Sequence, residues 1–296
     1  MLCDHDLQDL IERLECQGGF RVLRKLEVNI GRTGVPYHGG DTFIAAVVDV
    51  ETTGLDPQSD VIIELALRRV RYDGRGRILK IDRPVSWFED PGRPLDDDVM
   101  RITGLTDAGL FGQRIDDAEA ARLLRTAHLI IAHNAAFDRK FVERRLPQAG
   151  GLPWACSMCE VDWAAAGFEG RTLGWLGAQA GWFHFAHRAS GDVDAVIGLL
   201  SHHLPDSRTV LSELVARSAT PSMRVEAVGA DFGVKDELRA RGYRWNPDDK
   251  LWWKEVPAEE LPDEAAWLGR TVYGFASRAK ACGPRITEVT ARERFA

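Results

Sequence analysis

The segment Thr42-Phe-Ile-Ala-Ala-Val-Val-Asp-Val-Glu-Thr-Thr-Gly54 has the pattern of a buried strand that ends in two acids. Side chains at positions i and i+2 of a strand project from one face, so Asp49 and Glu51 should lie side by side. Paired carboxylates in an apolar setting are costly without a cation. A hard divalent ion such as Mg²⁺ or Mn²⁺ would balance their charge, and Gly54 would let the backbone approach a ligand.

Two later segments carry further acids in similar positions. In Ile130-Ile-Ala-His-Asn-Ala-Ala-Phe-Asp138, an apolar strand gives way to a helix, with Asn134 as the expected N-cap and Asp138 about one turn further on. In His187-Arg-Ala-Ser-Gly-Asp192, the histidine falls in a loop and Asp192 at the start of the next helix. Because the helix dipole favours an acid there, Asp192 taken alone could be structural.

The pattern around these segments predicts the fold class. Apolar strands at 42–50, 61–72 and 77–87 follow one another, with a turn signal at 73–76. Strands near 128–132 and 156 then alternate with helices at 116–126, 136–145, 172–179 and 193–203. Hairpins followed by β-α alternation predict an α/β domain with a mixed sheet flanked by helices.

Composition shifts suggest four segments along the chain. We expect a small helix-strand appendage at 1–40, the main domain at 41–207, a helix and linker at 208–222, and a small Trp-rich α+β module at 223–296. In that module, Tyr243, Trp245, Trp252 and Trp253 alternate with basic residues. They could form a stacking platform for single-stranded bases or the core of a tiny domain.

The bulk properties exclude some classes of protein. A formal charge of −7 over 296 residues argues against non-specific coating of nucleic acid, but a cluster of carboxylates could itself supply part of that charge. No apolar run approaches the ~20 residues of a membrane span, and the first residues lack a signal-peptide pattern, so we expect a cytoplasmic protein without membrane contact. Cys156 and Cys159 have the spacing of half a zinc site, but no second pair follows, which favours core packing.

The three acidic segments together resemble the histidine-containing branch of the DEDD exonucleases, the DnaQ-like family. That family includes the proofreading subunit of bacterial replicative polymerases, oligoribonuclease and ribonuclease T. The resemblance covers about residues 42–205, through Asp-x-Glu-Thr-Thr-Gly at Asp49–Gly54, His-Asn-Ala-x-Phe-Asp at His133–Asp138 and His-x(4)-Asp at His187–Asp192. The whole layout is similar to bacterial exonucleases of the polymerase III epsilon-subunit type.

The resemblance implies a ribonuclease H-like fold with a mixed five-stranded sheet. It implies two divalent metal ions, Mg²⁺ or Mn²⁺, held by the four carboxylates Asp49, Glu51, Asp138 and Asp192. It also implies that His187 is the general base of a reaction that releases nucleoside 5′-monophosphates from a 3′ end. His184 is a rival to His187, but five residues beyond it stands Ala189, which cannot bind metal. Asp194 is the rival to Asp192 and would point to a different helix face.

The resemblance also implies how a substrate end would be held. The backbone around Thr52, Thr53 and Gly54 would receive the terminal 3′-hydroxyl, and Leu55 would wedge against the terminal base. Asn134 and Phe137 would support the site. We expect single-stranded DNA as the substrate, with a replication or repair protein as a further partner. An RNA-trimming enzyme and a non-catalytic nucleic-acid-binding or scaffold protein are the alternatives.

Overall fold

The structure of the protein is a computed structural model that describes residues 4–274 and 283–296, the side chains of residues 4 and 5 excepted. Its chain divides into two compact units. The larger comprises Met1–Ala216 with Phe295–Ala296, and the smaller comprises Arg217–Arg294. Within the described ranges, no helix combines the length and the apolar character needed to cross a membrane.

The larger unit contains most of the regular structure. Its helices are α1 (Asp4–Glu15), α2 (Asp97–Thr103), α3 (Asp107–Leu110), α4 (Asp117–Arg125), α5 (Ala135–Arg145), α6 (Leu173–Gln179), α7 (Ala189–Leu200) and α8 (Val210–Ala219), the last of which continues across the boundary at residue 216. Its strands are β1 (Arg24–Lys25), β2 (Gly31–Arg32), β3 (Thr42–Thr52), β4 (Ile62–Asp73), β5 (Ile78–Ile81), β6 (Val85–Phe88), β7 (Leu129–Ala132), β8 (Trp154–Cys156) and β9 (Trp182–Phe183).

A mixed sheet forms the centre of this unit. The strand order is β2-β5-β4-β3-β7-β8, and β6 also pairs with β4. Strand β4 runs antiparallel to β3, whereas β7 runs parallel to β3 and β8 runs parallel to β7. Alternate residues of β3 enter two separate cores, Ala45 and Val47 with residues of α7, and Ala46 and Val48 with residues of α4 and α5. The predicted mixed sheet flanked by helices is confirmed.

The sheet has seven strands, so the prediction of five was wrong in number. The segment 77–87, predicted as one strand, is two, because Pro84 interrupts it and both β5 and β6 then pair with β4. Strand β2 lies in the segment 1–40 and was not among the strands predicted for this sheet. The short helices α2 and α3 were not predicted either.

The smaller unit has its own sheet and core. It contains β10 (Ser222–Glu226), α9 (Lys235–Ala240), β11 (Arg244–Asn246), β12 (Leu251–Pro257), α10 (Leu261–Thr271) and β13 (Arg285–Val289). The strands are antiparallel in the order β11-β12-β10-β13. The core consists of Val225, Ala227, Leu238, Tyr243, Val256, Leu268 and Val272. The expected linker is short, because α8 continues to Ala219 and β10 begins at Ser222.

Candidate active site

Three carboxylates meet at the end of β3. The oxygens of Asp49, Glu51 and Asp192 that could bind a metal ion all lie within 4.8 Å of one another, and they form such a group within the described residues. Asp49 and Glu51 are half-buried and share one face of the strand, as their spacing predicted. Asp192 lies in the first turn of α7. Strand and helix thus bring together acids that are more than 140 residues apart in the sequence.

The fourth predicted carboxylate, Asp138, is buried beside this group. It lies in the first turn of α5, and its Oδ1 accepts a hydrogen bond at 3.1 Å from the backbone N–H of Val50 on β3. Asp138 does not belong to the group of acids whose oxygens lie within 4.8 Å of one another, although its negative charge raises the pKa of Asp49. The helix and the strand are therefore joined directly at the point where the acids meet.

Both candidate histidines contact Asp192, but in different ways. The side-chain Nε2 of His184 lies 2.8 Å from Asp192 Oδ1. The backbone N–H of His187 donates to Asp192 Oδ2 at 2.9 Å, while its imidazole is exposed and its φ is +64°. Asp194, the rival to Asp192, points elsewhere and pairs with the buried Arg68 at 2.5 Å. The choice between the two acids is therefore clear in the structure, whereas both histidines belong to the site.

Sequence reasoning missed a fifth acid, Glu64. It lies on β4 directly across from Glu51, and its side chain is fully buried. Ser86 donates to it at 2.9 Å, and Arg188 Nε lies 3.3 Å from its other oxygen. The signal was present in the sequence, because Glu64 is the one charged residue in the apolar run 61–67.

The turn after β3 is held by its own side chains. Thr52 Oγ1 donates to the carbonyl of Gly54 at 2.6 Å, and Thr53 Oγ1 donates to Asp60 at 2.9 Å. A Cβ on Gly54 would lie only 2.4 Å from the Asp60 carboxylate. The Asp60 carboxylate therefore leaves no room for a side chain at this position, and the approach of the Gly54 backbone to a ligand stays a prediction. Leu55 is 84% exposed at the tip of the turn.

The start of α5 differs from the expected cap. Asn134 occupies the N-cap position with φ +99°, but its side chain makes no capping hydrogen bond. Instead, the Cys156 sulfur accepts from the N–H of Ala135 at 3.4 Å. Cys156 is buried as expected, whereas Cys159 is exposed. Phe137 is half-buried with its ring 4.9 Å from that of Phe141, so it packs into the core beneath the site.

The comparison with known families decides the identity of this domain. The RNase T model, which describes an exonuclease domain, matches residues 46–200, a little over half of the chain. The chain belongs to this exonuclease family. The expected membership of the DnaQ-like 3′-to-5′ exonuclease family and the expected fold are confirmed.

Relatives of this exonuclease occur inside much longer proteins. It is 35% identical to DNA polymerase III PolC-type of Listeria monocytogenes over 140 residues, which cover 45% of this chain and 9% of that protein. With the PolC-type polymerase of Streptococcus suis, the identity is 28% over 239 residues, 71% of this chain and 15% of the relative. The chain therefore spans a small part of the length of these relatives.

Solved structures support the fold. The zinc-bound complex of E. coli exonuclease I with single-stranded DNA has a TM-score of 0.50 at 16% identity, over 77% of this chain and 68% of that one. The complex of exonuclease I with the inhibitor BCBP has a TM-score of 0.51 at 15% identity, over 78% and 68%. At this identity, the likeness establishes the arrangement of helices and strands.

The acids of the exonuclease raise one another's pKa. Burial raises the pKa of Asp49 well above its usual value, and the charges of the other four acids raise it further. Burial, Asp192 and Glu64 raise the pKa of Glu51 from 4.5 to about 7, while Arg188 opposes them. Burial also raises the pKa of Asp138, against the hydrogen bond from Val50.

The repulsion among these negatively charged side chains fits a metal centre. Five acids converge, and the positive charge that lowers the pKa of Glu51 comes from Arg188, which is itself half-exposed. Carboxylate oxygens are the donors that hard divalent cations prefer. Asp49, Glu51 and Asp192 are therefore able to hold a divalent ion, as the family implies.

Proposed function

We propose that the protein is a metal-dependent exonuclease that removes nucleoside 5′-monophosphates from the 3′ end of single-stranded DNA. The observation that carries the proposal is the convergence of Asp49, Glu51 and Asp192 within 4.8 Å, in the segment that matches the exonuclease family. Buried acids with raised pKa values are typical of catalytic centres.

Asp49, Glu51, Asp138 and Asp192 would hold two divalent ions, Mg²⁺ or Mn²⁺. Such a pair supplies activation of the attacking water and stabilisation of the leaving 3′ oxygen. The fit rests on the donor set, which consists of carboxylates that lack a matching number of cationic partners in the described residues. Glu64, across from Glu51, would add negative charge that strengthens cation binding.

His187 would take the proton from the attacking water. Its imidazole is exposed, and its backbone N–H donates to Asp192 at 2.9 Å, which places the residue next to the cluster. An imidazole is well suited to accept a proton near neutral pH. His184, already 2.8 Å from Asp192, would orient that carboxylate.

The turn after β3 would bind the substrate end. The backbone at Thr52, Thr53 and Gly54 would receive the 3′-hydroxyl, since side-chain hydrogen bonds hold this turn in one conformation. Leu55 is exposed enough to contact the terminal base. Asn134 and Phe137 would support the site by fixing the start of α5, which carries Asp138.

DNA is the preferred substrate in this proposal for two reasons. The relatives described above are named DNA polymerases, and a structural neighbour was solved with single-stranded DNA. The polymerase relatives also favour a replication or repair protein as partner.

Digestion of end-labelled oligonucleotides tests the proposal. Single-stranded DNA and RNA labelled at the 3′ or the 5′ end are incubated with Mg²⁺, Mn²⁺ or EDTA. We expect 5′-labelled DNA to shorten stepwise with metal only, and Asp49→Asn to abolish the reaction. Absence of metal-dependent shortening, or equal activity of Asp49→Asn, would refute the enzyme assignment, and faster digestion of RNA would refute the DNA assignment.

A second set of variants separates the two histidines. His187→Ala should lower kcat by about 10²- to 10⁴-fold while KM changes little, which is the usual contribution of a general base. His184→Ala should have a smaller effect on kcat, and the exposed His203→Ala is the matched control. A larger loss of kcat in His184→Ala than in His187→Ala would assign the base to His184.

A further inference from the structure

Among the described residues of the smaller unit, two large aromatic side chains are exposed, and the core of this unit does not include them. Phe232 is 79% exposed just before α9, and Trp245 is 48% exposed on the edge strand β11. The predicted aromatic set is thereby divided, because Tyr243 is buried and Trp252 packs against the core. Single exposed aromatic rings are common in proteins, so the residues around these two rings must indicate whether they bind a ligand.

Basic side chains lie between the two exposed rings. Lys235 Nζ is 4.3 Å from the centre of the Phe232 ring. The Arg239 guanidinium is 5.8 Å from the ring of Trp252, whose centre is 5.6 Å from that of Trp245. Lys235 and Arg239 are four residues apart on α9 and therefore share one helix face. We call these five residues the α9 strip.

The cations of the α9 strip are available to a ligand. Arg239 pairs with Asp236 at 3.3 Å, but both side chains are about 70% exposed, and such pairs contribute little stability. Asp231, another acid close to α9 in the sequence, uses its carboxylate to accept from the N–H of Gly233. The strip thus combines exposed aromatic rings with guanidinium and ammonium groups that can exchange their partners.

We propose that the α9 strip is a second binding site for single-stranded nucleic acid, distinct from the carboxylate cluster. This combination is what unpaired strands require, since bases stack on exposed rings and phosphates pair with the intervening cations. A duplex does not offer its base faces in this way. The proposal rests on the proposed function, which makes nucleic acid the substrate of the same chain.

The opposite face of the same sheet does not offer such a platform. Strand alternation places Trp253 on the face away from Trp252. Its ring is half-buried, with Arg224 at 4.4 Å and Arg244 at 5.7 Å, so it exposes less ring surface than Phe232 or Trp245. The α9 strip is therefore the aromatic surface that we assign to bases.

Binding of a labelled oligo(dT) to the full chain in EDTA tests the proposal, because hydrolysis is then suppressed. Base stacking is worth about 1–3 kcal/mol, so Phe232→Ala and Trp245→Ala should each raise Kd by about 5- to 150-fold. Phe111→Ala, which removes another exposed ring, and Arg270→Ala, which removes another exposed cation, should leave Kd unchanged. The double variant Lys235→Ala/Arg239→Ala loses two cations that can pair with phosphates. The slope of log Kd against log salt concentration should therefore fall by about 1.4.

Hydrolysis of a dinucleotide with Mn²⁺ separates the two proposals, because so short a substrate occupies the carboxylate cluster alone. The strip variants should cleave it at the wild-type rate. The proposal for the α9 strip alone would be overturned if Trp245→Ala and the double variant Lys235→Ala/Arg239→Ala bound oligo(dT) with the wild-type Kd and still cleaved the dinucleotide. Failure of the wild type to cleave the dinucleotide would instead refute the proposed function. An equal loss of blunt-duplex binding in the strip variants would overturn its single-strand character.

Discussion

Raising the pH of the metal-free protein from 5 to 8 should destabilise its larger unit through Glu51. The pKa of this acid is about 7 in the folded chain, against 4.5 without the fold. Between these values the folded state binds more protons than the unfolded state, so stability falls as the pH rises. A rise of 2.5 in pKa corresponds to about 3 kcal/mol, of which roughly 2.5 kcal/mol is lost between pH 5 and pH 8.

Urea unfolding in EDTA at the two pH values measures this effect. Glu51→Gln cannot ionise, so it should be close to wild type at pH 5 and more stable than wild type by about 2 to 3 kcal/mol at pH 8. Glu169→Gln, which removes an exposed acid of the same unit, should follow the wild type at both values. Saturating Mn²⁺ should stabilise the wild type more at pH 8 than at pH 5, because the deprotonated acids bind it.

The comparison between variants is what makes the test decisive, because other groups also titrate over this range. A stability difference between Glu51→Gln and wild type that is the same at pH 5 and pH 8 would show that Glu51 has an ordinary pKa. The electrostatic argument for a cation-dependent cluster would then be wrong.

Three further predictions address separate contacts. Asp192→Asn should weaken Mn²⁺ binding at least about tenfold by calorimetry, since one of the clustered carboxylates is lost. Asp194→Ala should instead lower stability by about 3 kcal/mol in urea unfolding with Mn²⁺ affinity unchanged, because it removes the carboxylate that pairs with the buried Arg68. Gly54→Ala should destabilise by about 1–3 kcal/mol in thermal melts, because its Cβ would collide with Asp60, and an unchanged melt would refute that clash.

Features of the sequence that depend on local periodicity were predictable. The apolar run of β3 enters two cores, which is why every residue from 45 to 48 is buried and why the strand could be recognised without knowing its neighbours. The positions of Asp49 and Glu51 follow from the two-residue period of that strand.

Features that depend on tertiary contact were not predictable from the same pattern. Asn134 has the residue type of an N-cap, but the sulfur of Cys156 on β8 contacts the helix N–H instead. Glu64 belongs to the site only because β4 pairs with β3 in a register that faces Glu51. The Asp60 carboxylate, six residues after Gly54, occupies the space where a Cβ on that glycine would lie. In each case, the deciding partner comes from another element or from beyond a turn.

Glu64 also clarifies why this cluster should require a cation. Among the described residues, the buried Glu64 pairs with Ser86 and a half-exposed Arg188, and it adds negative charge beside Glu51, which raises the pKa of Glu51 and opposes its ionisation. An ordinary structural site would lower this cost by adding buried cationic partners. Here a divalent ion would offset the charge. The same residues that make the metal-free cluster unfavourable would therefore strengthen metal binding.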